Sequence, residues 1–172
     1  MQVRTAITAV LGSSISFSAA APHPRANIPS ELNITGLAAS TESGKPAAHF
    51  AFAVSIPGGG DAIKCSFYGR AAAGGLLPDV AWRPCDDPTV QWQFRHEPSR
   101  PGTSGPYLLV VTYRVDAQTG QRVGGFKEWQ ASLFPAEESP DGITQSYKGE
   151  SNFVVANLSE GYELARGGME AR

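Results

Sequence analysis

Ala-Ala-His-Phe-Ala-Phe-Ala-Val-Ser-Ile, residues 47–56, has the clearest periodicity in this chain. Its large apolar side chains stand at even positions, and small or polar ones stand at odd positions. Successive side chains of a β-strand point to opposite faces of the sheet, so strict alternation predicts a strand with one apolar face. The segment after it, Pro57 to Asp61, contains three consecutive glycines and predicts a turn. Ile63, Cys65 and Phe67 then alternate with polar residues, which predicts the second strand of a hairpin.

Alternating segments continue through the rest of the chain, separated by turn-forming residues. They lie at residues 90–95, 107–115, 123–134, 143–147 and 152–158. Segment 90–95 has glutamines and an arginine on its outer face, which we expect to contact water, whereas segment 107–115 is apolar on both faces and is predicted to be central in its sheet. Many short strands with little helical periodicity predict an all-β fold, an antiparallel β-barrel or β-sandwich with one disulfide.

The N-terminal residues are typical of an export leader. Arg4 precedes an apolar run from Ala6 to Phe17, and Ser18-Ala19-Ala20 provides small residues for a cleavage site. The run is shorter than the roughly 20 apolar residues of a spanning helix. We expect a signal peptide at residues 1–20, an extended proline-containing segment at 21–29, a β-barrel domain at 30–158 and a flexible tail at 159–172. The expected location is extracellular.

The two cysteines, Cys65 and Cys85, are predicted to form one disulfide. Cysteine pairs of exported proteins are usually oxidised to disulfides, because the compartment is oxidising. In the chain-entropy model a disulfide of this span raises the free energy of unfolding by about 3 kcal/mol. A metal site is the alternative, but two cysteines with three scattered histidines do not match the ligand spacing of a zinc site. The sequence predicts no metal and no cofactor.

Two Asn-x-Ser/Thr motifs are candidate glycosylation sites. They begin at Asn33 and Asn157. In a eukaryotic secretory pathway either asparagine would carry a glycan if its side chain pointed outward.

Charge argues against two classes of partner. The chain has 14 basic and 16 acidic residues, a net charge of −2, and loss of Arg4 with the leader makes it about −3. Nucleic acids and anionic membranes both favour a concentrated basic face, so neither is an expected partner.

No catalytic motif is recognisable. His49 and His96 are the possible bases of a hydrolase, but neither lies near a Gly-x-Ser-x-Gly motif. Asp86-Asp87 and Glu137-Glu138 are adjacent pairs, and neighbours on a strand point to opposite faces, so they are interpreted as turn residues rather than as a glycosidase pair. The chain is therefore predicted not to be an enzyme.

The three tryptophans, Trp82, Trp92 and Trp129, are the candidate ligand-binding residues. Exposed aromatic rings on a β-face stack on sugars or flat ligands. Trp92 and Trp129 fall on inward positions, which favours core packing, and in a barrel with a cavity they would line a pocket for a small apolar molecule.

The order of these features resembles a known family. The features are an export leader, Phe50-x-Phe52-x-Val54, the Cys65 strand, Trp82 three residues before Cys85, Asp86, Val90-x-Trp92-x-Phe94, and an aromatic strand that closes the domain at Tyr147 and Phe153. Over roughly Ile34 to Val155 the chain resembles the Alternaria major-allergen family of small secreted fungal β-barrel proteins. The family usually has a second disulfide toward its C-terminal half, whereas Cys85 is the last cysteine here.

The resemblance implies a compact antiparallel barrel exported by a filamentous fungus, with Cys65 and Cys85 as its structural bridge. It also implies action by binding, as in allergens and effectors that contact host defence proteins. We therefore expect a partner that is a host extracellular protein or a small apolar ligand. A carbohydrate-binding or cell-wall-associated module is the alternative, and a small secreted hydrolase is the third hypothesis.

Overall fold

The structure is a computed structural model that describes residues 29–96 and 107–156. Within these residues it contains ten β-strands, two short 3-10 turns (Ala73–Gly75 and Ala131–Leu133) and no α-helix that could span a membrane. The strands are β1 (Glu31–Thr41), β2 (Ala47–Ser55), β3 (Ile63–Arg70), β4 (Val80–Pro84), β5 (Val90–His96), β6 (Tyr107–Arg114), β7 (Arg122–Trp129), β8 (Ala136–Ser139), β9 (Gly142–Gln145) and β10 (Phe153–Ala156).

Eight strands form two antiparallel four-stranded sheets. Sheet A has the order β10-β1-β2-β3, sheet B has the order β4-β5-β6-β7, and β8 and β9 form a separate hairpin. The sheets pack against each other around one main core. The all-β prediction with one disulfide is therefore confirmed, and of the two predicted architectures the sandwich fits.

The core lies between the even-numbered side chains of β2 and the inner face of β5. The Phe50 ring lies 6.0 Å from that of Trp92 and 4.8 Å from that of Phe94, and the Phe52 ring lies 5.1 Å from Trp92. Val54 is completely buried beside them. The alternation that predicted β2 therefore supplies one side of an aromatic core, in which tilted and edge-to-face ring pairs are favoured.

Strand β1 was not predicted as a strand, and a bulge explains why. Its register with β2 shifts between Thr35 and Ala38, and Gly36 within the shift has φ +67°. Leu32 and Ile34 point inward before the bulge, whereas Leu37 and Ala39 point inward after it, so the buried positions change from even to odd. An inserted residue of this kind removes the period-two signal from the sequence.

Strand β6 has the central position that its two apolar faces predicted, because it pairs with β5 on one side and β7 on the other. The expectation that water covers the outer face of β5 is wrong at Gln93, which is only 4 % exposed. Leu108 and Val110 form a small second cluster on the outer face of sheet B, and the rings of Trp82 and Phe126 pack against it. Side chains of neighbouring strands therefore exclude water from the middle of that face.

The two sheets meet along two edges with different chemistry. At one edge, which we name the disulfide edge, Cys65 of β3 is bonded to Cys85 after β4, and the Asp86 N–H donates to the Lys64 carbonyl at 2.8 Å. At the other edge, which we name the glycine edge, Gly125 of β7 lies against Val155 and Ala156 of β10. A Cβ at Gly125 would clash with the Ala156 carbonyl oxygen, so only glycine permits this approach.

Some predicted features lie outside the described residues. They are the signal peptide at residues 1–20, nearly all of the 21–29 segment, the sequon asparagine Asn157 and the tail at 159–172. The export, glycosylation at Asn157 and tail assignments therefore remain predictions.

Candidate functional site

The three candidate tryptophans lie in three different environments. Trp92 is 0 % exposed and belongs to the core between the sheets. Trp82 is half-buried on the outer face of sheet B, against the Leu108–Val110 cluster. Trp129, the last residue of β7, is 6 % exposed and lies at one wall of a surface cleft. The tryptophans therefore form no common row, and only Trp129 lines one of the described clefts.

This cleft, which we name the Trp129 cleft, has a volume of about 570 Å³. It lies at the glycine edge, between the Trp129 end of β7 and Phe153 of β10. The segment after β9 closes the cleft from the other side. The lining residues are Lys127, Trp129, Leu133, Tyr147, Lys148, Gly149, Glu150 and Phe153.

Aromatic rings form the walls of the Trp129 cleft. The indole of Trp129 lies 5.3 Å from the ring of Tyr147 and 5.3 Å from the ring of Phe153, in both cases edge to face. Phe134 lies beneath them, 5.1 Å from Tyr147, and is buried. Contacts of this type hold each ring in a fixed orientation, so the apolar walls exist before any ligand binds.

Backbone hydrogen bonds fix the position of Tyr147. Its N–H donates to the Ala39 carbonyl of β1 at 2.8 Å, and the next N–H, that of Lys148, donates to the Leu133 carbonyl at 2.8 Å. The Tyr147 hydroxyl donates to the Glu150 carbonyl at 2.8 Å. Desolvation raises the pKa of Tyr147 above its ordinary value of 10.0, so the hydroxyl remains a donor at neutral pH.

Two lysines lie at the rim of the cleft and differ in their partners. Lys148 lies 3.8 Å from a carboxylate oxygen of Glu137, an exposed pair of little energetic weight. Lys127 is half-buried, and no carboxylate in residues 29–96 and 107–156 pairs with it. Its odd position in β7 places it on the same face of the strand as Trp129, so an unpaired ammonium accompanies the aromatic wall.

The residues considered for hydrolysis are not assembled into a site. His49 is exposed on the outer face of sheet A, 6.2 Å from Tyr68, whereas His96 lies at the end of β5 against Tyr107. The Asp87 carboxylate accepts the Thr89 N–H at 2.8 Å, which agrees with its predicted role as a turn residue and lowers its pKa. Among the described residues no group of three or more His, Cys, Asp or Glu is arranged to hold a metal ion.

The glycosylation candidate Asn33 lies on β1, between Ser55 of β2 and Val154 of β10. Its flanking residues Leu32 and Ile34 point into the core, so Asn33 occupies the outer face, where it is half-buried. Occupancy of this sequon remains a prediction.

Of the residues that line the cleft, Trp129 was predicted as a ligand-binding candidate, whereas Lys127 and Tyr147 were not. The signal for Lys127 was present, because it precedes Trp129 by two residues and therefore shares its inward face. Tyr147 ends the predicted segment 143–147, but its place in the cleft depends on long-range hydrogen bonds, from its own N–H to Ala39 and from that of Lys148 to Leu133, which no local pattern indicates.

Comparisons of the chain with protein-family models, with curated proteins and with solved structures find no match. The geometry of the Trp129 cleft and the residues shared with the Alternaria major-allergen family are the features that bear on function.

Proposed function

We propose that this protein is a secreted, non-enzymatic binding protein of the fungal effector or allergen type, and that it holds a small ligand with an apolar ring in the Trp129 cleft. The observation that carries the proposal is the preformed aromatic wall of Trp129, Tyr147 and Phe153 beside the ammonium of Lys127, with which no carboxylate of the described residues pairs. The resemblance to the Alternaria major-allergen family and the leader-like N-terminus support the secreted, binding role.

The cleft has the features of a small-molecule site. It is open to solvent, and its volume of about 570 Å³ is sufficient for a small molecule with one or two rings. A ring inserted against the wall would displace water from apolar surface, at about 25 cal/mol for each Å² buried. The polar groups at the rim would then set the orientation of the ligand.

The carbohydrate-binding alternative has less support. Sugar rings stack on an exposed, flat aromatic face, whereas Trp92 is completely buried in the core. Trp82 is half-buried against Phe126 and Val110. No planar row of exposed tryptophans is therefore present in the described residues.

The proposal is tested by titrating the protein with 1-naphthoate and with 2-naphthalenemethanol, and by recording amide and indole N–H resonances by NMR. We expect the Trp129 indole signal to shift with both probes, because the wall recognises the ring, while the Trp92 indole in the core stays unchanged. Lys127→Gln is expected to weaken naphthoate binding about three- to tenfold, the effect of one partly solvated charge contact. Lys64→Gln, a lysine remote from the cleft, is the matched control and is expected to leave affinity unchanged.

Three results would contradict the proposal. They are the absence of any Trp129 shift at millimolar probe, equal loss of affinity in both lysine variants, or binding of a glycan array that Trp82→Ala abolishes. The last result would establish the carbohydrate module instead.

A further inference from the structure

From Ser66 to Arg70, strand β3 has an open edge whose outward backbone groups have no partner in the described residues. β3 is the last strand of sheet A and pairs only with β2. The Ala71 N–H donates to the Pro46 carbonyl on the β2 side, whereas the Lys64 carbonyl accepts from Asp86 on the opposite side. Because backbone groups alternate in direction along a strand, those of Ser66 and Tyr68 point the same way as those of Lys64, away from β2.

The neighbouring strand β4 does not cover this edge. If the contact between Lys64 and Asp86 continued as a ladder, Ser66 would face Pro84. Proline has no N–H, so it cannot donate to the Ser66 carbonyl, and the ladder ends at the disulfide. Beyond Pro84 the two strands are not paired, and nothing in residues 29–96 and 107–156 pairs with the outward backbone groups of Ser66 and Tyr68.

The side chains along the edge have a positive charge and one large exposed ring. Tyr68 is 66 % exposed. Arg70 is exposed with no carboxylate partner in the described residues, and the Arg83 guanidinium lies 4.8 Å above the Phe67 ring, also without one. Lys64, at the other end, lies beside Asp61 and Asp86, which offset its charge. In a chain of net charge −2, the Arg70 end of β3 is thus a local cationic site.

We propose that the open edge of β3, from Ser66 to Arg70, binds an extended acidic peptide segment of a partner protein by strand addition. The backbone of the segment pairs with Ser66 and Tyr68, and an acidic side chain of the segment lies beside Arg70 on the outer face of sheet A. Exposed sheet edges recruit strands through such main-chain hydrogen bonds, and complementary charge selects the partner and the register. This site is separate from the Trp129 cleft and does not depend on it.

A second copy of the chain fits the edge less well. In antiparallel self-pairing with Ser66 opposite Tyr68 of the second copy, Lys64 would face Arg70. Like charges directly opposite each other destabilise a strand pair. An acidic segment from another protein has the complementary charge.

The test uses an acetylated, amidated peptide of alternating valine and threonine with a glutamate at each end. Its two controls carry lysine at the ends or N-methyl groups on alternate amides, which block pairing. Binding to the whole protein is followed by NMR titration and by hydrogen exchange. We expect the glutamate peptide to slow exchange of the Ser66 and Tyr68 amides and both control peptides to bind at least tenfold more weakly.

Two pairs of variants separate the backbone contribution from the charge contribution. Ser66→Pro removes an outward N–H that does not bond to β2, and is expected to weaken binding of the glutamate peptide about tenfold. Ser66→Ala retains that N–H and is expected to bind the glutamate peptide with unchanged affinity. Arg70→Glu is expected to weaken binding severalfold, and Arg114→Glu, on the other sheet, is the matched control. If Ser66→Pro does not fold, the backbone contribution is measured instead on the wild-type protein, as the difference in affinity between the glutamate peptide and the N-methylated peptide.

The proposal is overturned if the lysine or N-methylated peptide binds as tightly as the glutamate peptide, or if binding occurs without protection of the Ser66 and Tyr68 amides. It is also overturned if sedimentation shows a dimer whose formation protects these same amides, because a second copy would then occupy the edge.

Discussion

Gln145 connects four parts of the chain through one buried side chain. It is 5 % exposed, its amide nitrogen donates to the Tyr107 hydroxyl at 2.9 Å and to the Phe134 carbonyl at 2.8 Å, and its amide oxygen accepts the Leu77 N–H at 2.9 Å. Gln145→Leu would leave all three groups without a partner. We expect a loss of about 3 kcal/mol in the free energy of unfolding, measured by urea denaturation.

The matched control is Gln118→Leu, because Gln118 is exposed in the loop between β6 and β7. It is expected to change stability by less than about 0.5 kcal/mol. Equal effects of the two variants would show that the Gln145 bonds do not stabilise the fold. This residue could not be identified from the sequence, since its partners stand 11 to 68 positions away and no local pattern relates them.

At the level of elements, local alternation was sufficient where strands are regular and failed where they are not. The prediction for residues 47–56 agrees with β2 and its inward face, because hydrophobic burial on one side imposes the period of two. β1 was not predicted because the bulge at Gly36 changes the inward-pointing positions from even to odd numbers. The Trp129 cleft could not be predicted from local alternation, because it depends on how β7 of one sheet packs beside β10 of the other.

Gly125 lies where β7 contacts β10. Gly125→Ala would place a methyl group against the Ala156 carbonyl and a Val155 methyl, so β7 must move away from β10. We expect a loss of about 2 kcal/mol in unfolding free energy, typical of an overpacked contact, together with chemical-shift changes at Trp129 and Phe153. Gly60→Ala is the control, since a Cβ there meets nothing within 4 Å and its φ is not positive. Unchanged stability in Gly125→Ala would mean that the glycine edge tolerates a wider spacing.

At the level of the whole molecule, the sandwich is closed at one edge by van der Waals contact and at the other by a covalent bond. The glycine edge depends on close packing of Gly125, whereas at the disulfide edge the Asp86–Lys64 hydrogen bond and the contact of Arg83 with the Phe67 ring accompany the Cys65–Cys85 bridge. The covalent edge is also where the open part of β3 begins. Loss of the bridge should therefore act unequally on the two edges.

The double variant Cys65→Ala/Cys85→Ala tests this inequality. The bridge joins residues 20 positions apart, and in the chain-entropy model its removal costs about 3 kcal/mol of unfolding free energy. We expect the Asp86 amide to exchange faster in the variant, while the Gly125 amide at the other edge keeps its protection relative to global unfolding. A reductant should lower the urea midpoint of the wild type and leave that of the variant unchanged. If both amides lose protection together, the two edges unfold as one unit and the disulfide stabilises the sandwich as a whole rather than β3 alone.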